Sequence, residues 1–340
     1  MVVDELIKTA KALVSPGKGI LAADESFPTI EKRFTEVGVE STEDSRRTYR
    51  ELLFTTEGIE EFISGVIMFD ETLRLATLSQ SKPSAKILEE KGIIAGIKVD
   101  KGAKDMAGFP GEKITEGLDD LRERLSEYKN LGAKFTKWRA VITIGETTPT
   151  DTCIDSNSEA LARFAALSQE AGLVPIVEPE VVRDGGHDIK RAEEVTYKTL
   201  KSVFAKLVNH KVKLDGILLK PNMVTPGKDN QQKANPLTVA EATLRCMREV
   251  VPSDVVGLVF LSGGQTPEEA TANLAEMNKT KELPWEISFS FSRALQNPVL
   301  KACSGKEENI AAAQKEFYKR AKLNSLARKG EYIPEMEAEK

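Results

Sequence analysis

Lys220 closes a short apolar run, Gly-Ile-Leu-Leu-Lys, that begins at Gly216. The Pro-Asn pair that follows is typical of a loop, so residues 216–219 are predicted to be a buried strand that ends at the lysine. Burial disfavours the charged form of an amine, and a neutral amine is a nucleophile that forms a Schiff base with a ketone or aldehyde. The alternative is a lysine that leaves the core and extends into solvent. The residues at other strand ends decide between these interpretations.

Polar residues, most of them charged, stand at the ends of further predicted strands. They are Asp24; Lys98 and Asp100; Lys137 and Arg139; Glu178 and Glu180; Ser262, Gly263 and Gly264; and Ser290 and Arg293. Residues two apart in a strand share a face, so the members of each charged pair are expected to point together. A single pair is ordinarily a surface ion pair. So many polar strand ends on one rim indicate an active site instead, because parallel barrels carry theirs at that rim.

These residue types suit imine chemistry on an anionic substrate. Lys220 is the candidate nucleophile. Glu178 and Asp24 are candidates to move protons, because forming and breaking an imine needs an acid and a base within reach. Three further residues supply positive charge that is expected to help keep the amine neutral and to attract an anion: Lys98, Lys137 and Arg139.

A phosphate-binding corner is predicted after the seventh strand. The Ser262-Gly-Gly run precedes a helix start at Thr266. Backbone amides of glycines and of a helix N-terminus bind phosphate without side-chain charge. A Gly-Gly pair alone usually marks only a turn. Arg293, one strand later, strengthens the interpretation because a guanidinium group matches the oxygens of a phosphate.

The elements that must position these residues are eight strand-like runs that alternate with helical segments. The runs are residues 19–23, 62–69, 93–99, 135–141, 173–177, 216–219, 257–261 and 287–291. This alternation favours an α/β fold, a parallel (β/α)8 TIM barrel. A doubly wound sheet is the competing architecture, but no Gly-x-Gly-x-x-Gly opens a helix after an early strand.

Helices are predicted where apolar residues recur at three- and four-residue steps. In residues 114–131 the apolar stripe is Leu118, Leu121, Leu125 and Tyr128, and in a later segment it is Leu200, Val203, Phe204 and Leu207. The run Thr266-Pro-Glu-Glu combines an N-cap, a proline in the first turn and a capping glutamate, which predicts a helix start.

Composition bounds the class of protein. The 340 residues, 40% hydrophobic and 30% charged, are predicted to form a single barrel domain, residues 1–340, with a short C-terminal tail from about residue 333. The net charge of −5 gives no sign of nucleic-acid or membrane binding. Because no apolar run is long enough to cross a bilayer and no signal-peptide pattern opens the chain, the expected location is cytoplasmic.

Three cysteines and two histidines bear on redox state and metal binding. Cys153, Cys246 and Cys303 are far apart and odd in number, which predicts free thiols in a reducing compartment. His187 and His210 have no second histidine or cysteine at ligand spacing, so a catalytic zinc ion is not expected. A Gly-x-Ser-x-Gly nucleophile elbow is also missing from the sequence.

Seven stretches, in order across nearly the whole chain, resemble the class I, Schiff-base fructose-1,6-bisphosphate aldolases. They begin at residue 19 (Gly-Ile-Leu-Ala-Ala-Asp-Glu-Ser), 96 (Gly-Ile-Lys-Val-Asp-Lys-Gly), 137 (Lys-Trp-Arg), 174 (Val-Pro-Ile-Val-Glu-Pro-Glu), 218 (Leu-Leu-Lys-Pro-Asn-Met-Val-Thr-Pro-Gly), 260 (Phe-Leu-Ser-Gly-Gly-Gln) and 293 (Arg-Ala-Leu-Gln). Any one stretch arises elsewhere, whereas all seven in order make the match specific.

The resemblance implies a role for each site residue. Lys220 is the imine-forming lysine, and Glu178 is the acid and base of carbinolamine dehydration, with Glu180 close by. Asp24 takes the proton of the 4-hydroxyl during cleavage, and Lys137 lies beside the reacting carbons. The 6-phosphate end is assigned to Lys98, Arg139, Ser26 and Thr29. The 1-phosphate end is assigned to Ser262, Gly263, Gly264 and Arg293, with Ser290 and Arg33 also lining the site.

Three features depart from the family pattern. Phe291-Ser292 replaces the usual Tyr-Gly, and the backbone amide of Ser292 is expected to bind phosphate there. Phe27 and Pro28 stand where relatives often carry small residues. The sequence ends at Lys340 and not at the tyrosine that assists proton exchange in many animal members. Water or another group is expected to take that part, or turnover to be slower.

The resemblance thus implies reversible cleavage of fructose 1,6-bisphosphate to dihydroxyacetone phosphate and glyceraldehyde 3-phosphate, with no metal or organic cofactor. The expected partners are sugar phosphates and, as for most members, further copies of the chain in a homo-tetramer. One alternative is another Schiff-base sugar-phosphate lyase or transferase on the same barrel, which is not expected to carry phosphate anchors at both ends of the site. The other is a non-catalytic scaffold, which is not expected to keep Lys220, Glu178 and Asp24.

Overall fold

The fold is that of a computed structural model, which describes residues 2–338. Met1, Glu339 and Lys340, which belong to the predicted domain 1–340 and its tail, lie outside the described residues. Within the described range the strands are β1 (Gly19–Ala23), β2 (Ile63–Met68), β3 (Ile94–Lys98), β4 (Ala103–Asp105), β5 (Lys113–Thr115), β6 (Phe135–Ile142), β7 (Val174–Val181), β8 (Leu218–Leu219), β9 (Gly257–Phe260) and β10 (Glu286–Phe291).

Helices occupy most of the segments between the strands. They are α1 (Val2–Leu13), α2 (Phe27–Thr35), α3 (Glu43–Thr55), α4 (Asp70–Arg74), α5 (Ser84–Glu90), α6 (Leu121–Asn130), α7 (Asp151–Glu170), α8 (Ile189–Asn209), α9 (Pro236–Val250), α10 (Pro267–Asn278), α11 (Arg293–Cys303) and α12 (Ile310–Arg328). Short 3-10 turns lie at Ile59–Glu61, Leu214–Gly216, Glu307–Asn309 and Pro334–Ala338.

A closed parallel barrel forms the centre of the molecule. Its strands follow the order β1-β10-β9-β8-β7-β6-β3-β2, so β1 pairs with β2 on one side and with β10 on the other. The helices between strands cover the outside, and the (β/α)8 barrel predicted from the sequence is confirmed. The remaining strands, β4 and β5, pair with each other as a separate antiparallel hairpin.

Alternation along each strand sorts the side chains into two layers. Ile20 and Ala22 of β1 and Leu218 of β8 lie in a small cluster that fills the barrel. Leu21 and Ala23, which have the opposite parity, belong to the larger core between the barrel and the helices. Because residues two apart share a face, this alternation also predicts which residues just beyond the strand ends face the barrel axis.

The small interior cluster is closed at one end by α1. Its Leu6 and Leu13 are buried among the inward side chains of the strands. Phe135 of β6 occupies the interior beside Gly65 and Gly96, where a Cβ on Gly96 would overlap the phenyl ring and a Cβ on Gly65 would overlap Leu13. The glycines thus leave space that one aromatic side chain fills, and the amino-terminal half of the barrel is packed with apolar groups.

Two of the predicted strands differ from the observed ones where it matters for the site. The strand predicted at 216–219 covers only Leu218–Leu219, because Gly216 belongs to the 3-10 turn, although Lys220 N still donates to Val177 O at 2.8 Å. The strand predicted at 173–177 runs instead over Val174–Val181, because the apolar pattern gives way to Glu178 while the backbone pairing continues. The other six predicted strands agree with the structure to within one residue at each end.

The helix predicted at 114–131 is wrong in its first third. Residues 113–115 form β5 of the hairpin, and α6 begins only at Leu121. Gly117, between them, has a φ of 126°, a conformation that ends any regular element and that favours glycine. The predicted apolar stripe is confirmed within α6 itself, where Leu121, Leu125 and Tyr128 are buried.

The last helix holds the two ends of the barrel together. Arg328 at the end of α12 is buried, and its Nη1 donates to Lys18 O and, at 3.0 Å, to Ser288 Oγ. Its Nη2 donates to Val14 O and contacts Glu286 Oε2 at 2.9 Å. One guanidinium group therefore joins the segment before β1 to β10 and to the end of α12.

The C-terminal segment is attached to the outside of the barrel through Glu337. Both of its carboxylate oxygens lie 2.6 Å from Nη1 of Arg320, a buried residue of α12. Tyr332 Oη donates to Glu337 Oε1 at 3.0 Å, and Lys319 Nζ donates to the Glu337 carbonyl at 2.7 Å. The predicted tail therefore contacts α12.

Candidate active site

At the carboxyl ends of the strands, the residues that continue the inward-facing series line a polar cavity. Asp24 continues the inward series of Ile20 and Ala22, and Lys220 continues that of Leu218. The cavity has a volume of about 1120 Å³. Of the sixteen residues that the sequence predicted for the site, fifteen line it: Asp24, Ser26, Thr29, Arg33, Lys98, Lys137, Arg139, Glu178, Glu180, Lys220, Ser262, Gly263, Ser290, Ser292 and Arg293. The exception is Gly264.

Four of these residues form a continuous chain of charges at the floor of the cavity. Lys220 Nζ lies 3.3 Å from Glu178 Oε1, and Lys137 Nζ lies 3.2 Å from the other oxygen of Glu178. Lys137 Nζ also lies 2.5 Å from Asp24 Oδ2. All four side chains are less than 10% exposed, so the chain of charges is shielded from bulk water.

The pKa values of this chain show which groups are ionised. Burial alone raises the pKa of the Asp24 carboxyl, but Lys137 and Lys220 outweigh it and lower that pKa to about 2. Burial likewise opposes ionisation of Glu178, and Lys137 and Lys220 lower its pKa below the ordinary value. Burial lowers the pKa of the Lys137 amine, yet Asp24 and Glu178 raise it above that of a free lysine. Lys137 is therefore a fixed cation between two carboxylates at neutral pH.

The surroundings of Lys220 include a carboxylate as well as the cations that the sequence analysis placed there. The charged group in contact with its amine is the carboxylate of Glu178. Lys137, one of the predicted neutralising cations, is itself paired with Asp24 and Glu178. The amine thus lies against a carboxylate, a group that can exchange protons with it.

A second pair of ion pairs lies on the cavity wall. Lys98 Nζ contacts Asp100 Oδ1 at 3.1 Å, and Arg139 Nε donates to Glu180 Oε2. The expectation that Lys98 and Asp100 lie together is confirmed. Asp100 also accepts from the backbone amide of Gly102 at 3.1 Å, which fixes the loop after β3. The two cations at this wall are thus already neutralised by the protein.

The cations near α11 are arranged differently. The side chain of Arg293 makes no ion pair or hydrogen bond with any other residue between 2 and 338. Desolvation in the cavity, and then the like charge of Arg33, lower the pKa of its guanidinium group. Ser290 Oγ is buried and has no hydrogen-bond partner within the described part of the chain. An exposed guanidinium and a free hydroxyl in one cavity are suited to bind an anion.

Gly264 is the predicted site residue that does not line the cavity. Its carbonyl accepts from Arg183 Nη1 at 3.3 Å, and Arg183 Nε also donates to Pro226 O at 3.2 Å. Arg183 thus ties the loop after β9 to the loop after β8. Ser262 and Gly263 of the same loop do face the cavity.

Ser26 and Thr29 lie at the start of α2, on the rim. Their hydroxyl oxygens are 3.2 Å apart, and both side chains line the cavity. Phe27 between them is exposed, with its ring centroid 5.1 Å from that of Phe69 and 4.8 Å from the guanidinium carbon of Arg46. The departure from small residues at position 27 therefore places an aromatic group beside the rim.

The sequence analysis missed a buried polar network behind the cavity. Glu25, next to Asp24, pairs with Arg33 and Arg50. Burial raises the pKa of Glu25, but Arg50 and Arg33 outweigh it and lower the pKa to about 2. Gln296 Nε2 donates to Glu25 Oε1 at 2.7 Å. The only sequence signal was the position of Glu25 within the Asp-Glu-Ser run.

Cysteine and histidine residues lie apart from this chemistry. The three cysteines are free and buried, as predicted, and burial raises the pKa of Cys153 to about 11 and of Cys246 to about 12. Neither histidine lines the cavity. Among residues 2–338, no group of three or more His, Cys, Asp or Glu side chains has the geometry to hold a metal ion.

Comparison with known proteins gives a consistent result over the whole chain. The family model for fructose-bisphosphate aldolase class-I matches residues 5–340. A probable fructose-bisphosphate aldolase class 1 from Xanthomonas campestris pv. campestris is 54% identical over 333 residues, which cover 98% of this chain and 99% of that protein. The protein named fructose-bisphosphate aldolase 5, cytosolic, from Arabidopsis thaliana is 54% identical over 330 residues, 97% of this chain and 92% of its own.

A solved structure extends the similarity to three dimensions. The fructose-bisphosphate aldolase of Plasmodium falciparum, in complex with TRAP and a small-molecule inhibitor, matches with a TM-score of 0.96 and 47% sequence identity. The match covers 98% of this chain and 96% of that one. No helix among residues 2–338 combines the length and apolar character needed to span a membrane.

Proposed function

The chain belongs to the class I fructose-bisphosphate aldolase family, and from that premise we propose that Lys220 forms the imine with the carbonyl carbon of fructose 1,6-bisphosphate. The observation that carries this assignment is the buried contact of 3.3 Å between Lys220 Nζ and Glu178 Oε1. It places a nucleophilic amine against a group that can take its proton.

Imine formation requires the amine to add to the ketone and the resulting carbinolamine to lose water. Glu178 accepts a proton from the Lys220 ammonium group, which frees the nucleophile, and returns a proton to the departing hydroxyl. Lys137, 3.2 Å from the second oxygen of Glu178, stabilises the carboxylate between these transfers. Glu180, held by Arg139, shapes the wall beside Glu178.

Cleavage follows from the electron demand of the imine. The protonated imine withdraws the electron pair of the bond between carbons 3 and 4 while Asp24 accepts the proton of the 4-hydroxyl. Glyceraldehyde 3-phosphate leaves as the aldehyde, and the electron pair remains as an enamine on Lys220. Protonation of the enamine and hydrolysis of the imine release dihydroxyacetone phosphate. The low pKa of Asp24 keeps it ionised, which is the form that accepts a proton.

The two phosphates are assigned to two sites that differ in whether the protein already neutralises their cations. We assign the 1-phosphate to Arg293 and Arg33, together with Ser262, Gly263, Gly264, Ser290 and the backbone amide of Ser292. Arg293 supports this assignment because the protein gives it no counter-charge of its own. The 6-phosphate is assigned to Lys98, Arg139, Ser26 and Thr29. There the phosphate competes with Asp100 and Glu180 for the cations, so this end contributes less affinity.

Covalent trapping tests the assignment of the nucleophile. Borohydride reduction in the presence of dihydroxyacetone phosphate, followed by peptide mass spectrometry, is expected to place the adduct on Lys220. Lys220→Arg keeps a positive charge and serves as the control that forms no adduct. An adduct on Lys137 or Lys98 would overturn the assignment.

The proposed reaction needs no metal ion. We propose a metal-independent reaction, because the imine supplies the electron sink and both histidines lie outside the cavity. Activity is then expected to survive dialysis against EDTA, and a loss that zinc restores would contradict the mechanism.

A cytoplasmic location is supported by the relative named cytosolic. A homo-tetramer is proposed by family resemblance, with light scattering of the purified protein as its test.

We also propose that residues 1–340 form a single domain. The proposal is supported by the barrel, which closes only when β1 pairs with β10, and by Arg328, which contacts the segment before β1. A single cooperative transition in calorimetry, with equal calorimetric and van't Hoff enthalpies, is the expected result.

A further inference from the structure

We propose that the hydroxyl of Ser292 is a positioning group that, together with Glu25, holds the guanidinium group of Arg33 at the phosphate-binding wall of the cavity. The inference rests on the proposed function, since it gives a task to residues around that reaction site. It goes beyond the backbone role predicted for Ser292, because it concerns the side chain that replaces the usual glycine.

The hydrogen bonds of Ser292 have only one consistent arrangement. Its Oγ lies 2.7 Å from Glu25 Oε1 and 3.1 Å from Arg33 Nη1 and from Gln296 Nε2. Arginine can only donate. The side-chain oxygen of Gln296 accepts from Arg50 Nη1 at 3.4 Å, so its amide nitrogen, which can also only donate, faces Ser292. The two N–H groups of that nitrogen have closer acceptors in Ala22 O and Glu25 Oε1, each at 2.7 Å. The hydroxyl therefore accepts from Arg33 and donates its own proton to Glu25.

This arrangement leaves the hydroxyl no donor for a phosphate. A serine side chain offers one donor and two acceptor positions, and its only donor is used on Glu25. A phosphate oxygen, which needs a donor, would have to displace Glu25 as the acceptor. Ser292 therefore acts on the ligand through its neighbours and not by direct contact.

Arg33 is the neighbour that faces the cavity. Both of its contacts, to Glu25 and to Ser292, involve Nη1. No acceptor in the described range 2–338 bonds its Nε or Nη2, and the side chain is 13% exposed and lines the cavity. One nitrogen is thus held by the protein, while the remaining donors are left for an anion.

The Arg33 guanidinium group needs these two contacts to stay in position because the like charge of Arg293 lies close to it. The repulsion between Arg33 and Arg293 is strong enough to contribute to the lowered pKa of Arg293. Without a ligand, this repulsion favours rotation of Arg33 away from the site. Glu25 neutralises part of the charge, and Ser292 bridges Glu25 to Arg33, so the guanidinium stays in place before phosphate binds.

A double-mutant cycle tests the inference. Ser292→Ala is expected to raise both KM for fructose 1,6-bisphosphate and the inhibition constant for inorganic phosphate about tenfold, and to lower kcat by less than that. Ser292→Gly, which introduces the residue that relatives usually carry, is expected to give the same result. In the Arg33→Ala background, Ser292→Ala is expected to change neither constant further, because the group it positions is already gone.

Ser168→Ala is the matched control. Ser168 is buried and its hydroxyl bonds Thr136 Oγ1 at 2.9 Å on the opposite side of β6 from the cavity chemistry, so both constants should stay at the wild-type values. Equal effects of Ser292→Ala with and without Arg33 would overturn the inference. An unchanged phosphate constant in Ser292→Ala and Ser292→Gly would do the same. Failure of the proposed function is distinct, since the wild type would then form no borohydride adduct at Lys220.

Discussion

At the scale of single residues, the site divides into charges that the protein neutralises and charges that it leaves open. Asp24, Lys137, Glu178 and Lys220 pair their charges with one another, so these charges are balanced before a ligand arrives. Arg293 has no such partner within residues 2–338. The four paired groups are those proposed for the chemistry, and Arg293 is the one proposed phosphate anchor among the described residues to which the protein gives no counter-charge.

The open charge gives the first prediction. Arg293→Ala is expected to weaken affinity for fructose 1,6-bisphosphate tenfold to a hundredfold, because losing a charge-assisted hydrogen bond typically costs about 1.5–3 kcal/mol. Isothermal titration of a variant blocked at Lys220 measures the affinity without turnover. Arg245→Ala, which removes an exposed arginine paired with Glu193 outside the cavity, is the control. Unchanged affinity in Arg293→Ala would mean that this residue is not an anchor.

Glu25 gives a prediction about acid stability. Its pKa is lowered from 4.5 to about 2 in the folded chain, so its contribution to the free energy of unfolding is fully present above pH 4.5. That contribution is lost as the pH falls from 4.5 through about 2. Glu25→Gln leaves two arginines without their carboxylate and is expected to destabilise the protein by roughly 3–5 kcal/mol at pH 7.

Urea unfolding at pH 7, 4.5 and 3 measures this difference between wild type and Glu25→Gln. The difference is expected to shrink as the pH falls, because the wild-type carboxylate becomes protonated. Glu127→Gln removes an exposed carboxylate paired with Arg74 and should show little change at any pH. A difference that grew at low pH would contradict the assignment of a lowered pKa.

The sequence could identify the candidate catalytic residues but not the network that pairs with Glu25. Lys220, Glu178 and Lys137 follow apolar strand patterns, which indicate both burial and direction. Glu25 shares its strand end with Asp24 and was passed over, because its partners Arg50 and Gln296 lie on helices far away in the chain. On an isolated helix such residues are indistinguishable from solvated ones, and only the tertiary fold brings them together.

At the scale of elements, local signals were reliable where they involve contacts within a few residues. The capping box of α10 is confirmed, with Glu269 N donating to Thr266 Oγ1 at 3.1 Å and Thr266 N donating to Glu269 Oε2 at 3.0 Å. The hairpin of β4 and β5 was not predicted, because its pairing depends on a partner strand and each strand has only three residues. For that reason the helix predicted from the apolar pattern of α6 began too early and included part of β5.

The capping box gives a prediction at this scale. Thr266→Ala removes the acceptor for Glu269 N at the start of α10 and is expected to lower the free energy of unfolding by about 1 kcal/mol. Denaturant unfolding measures the loss. Thr266→Ser, which keeps the hydroxyl, should retain most of the stability. A variant Thr266→Ala as stable as wild type would show that the rest of the helix start suffices.

At the scale of the whole molecule, the described part of the tail, up to residue 338, lies against α12 on the outside of the barrel. Glu337 pairs with the buried Arg320, and none of the described tail residues lines the cavity. The carboxylate of Glu337 is thus neutralised outside the cavity, while Glu339 lies outside the described residues.

Deletion of residues 335–340 is therefore expected to leave both aldol cleavage and tritium exchange from dihydroxyacetone phosphate nearly unchanged. It should lower the free energy of unfolding by about 1–3 kcal/mol, because Arg320 loses its carboxylate partner. Glu337→Gln should reproduce the loss of stability and Glu335→Gln should not. A selective loss of exchange after the deletion would assign the tail a catalytic part.

The contacts of Arg328 join segments that are synthesised far apart in time. This residue is 314 positions away from Val14, whose carbonyl it binds, and β1 finds its second partner only in β10. A ribosome that adds about 5–20 residues per second needs roughly 15–60 s to bridge that distance. Until β10 is made, which takes most of this interval, the nascent chain carries an unpaired edge on β1, the kind of surface that pairs with other chains. We therefore expect the yield of this protein to depend on protection of the incomplete barrel during synthesis.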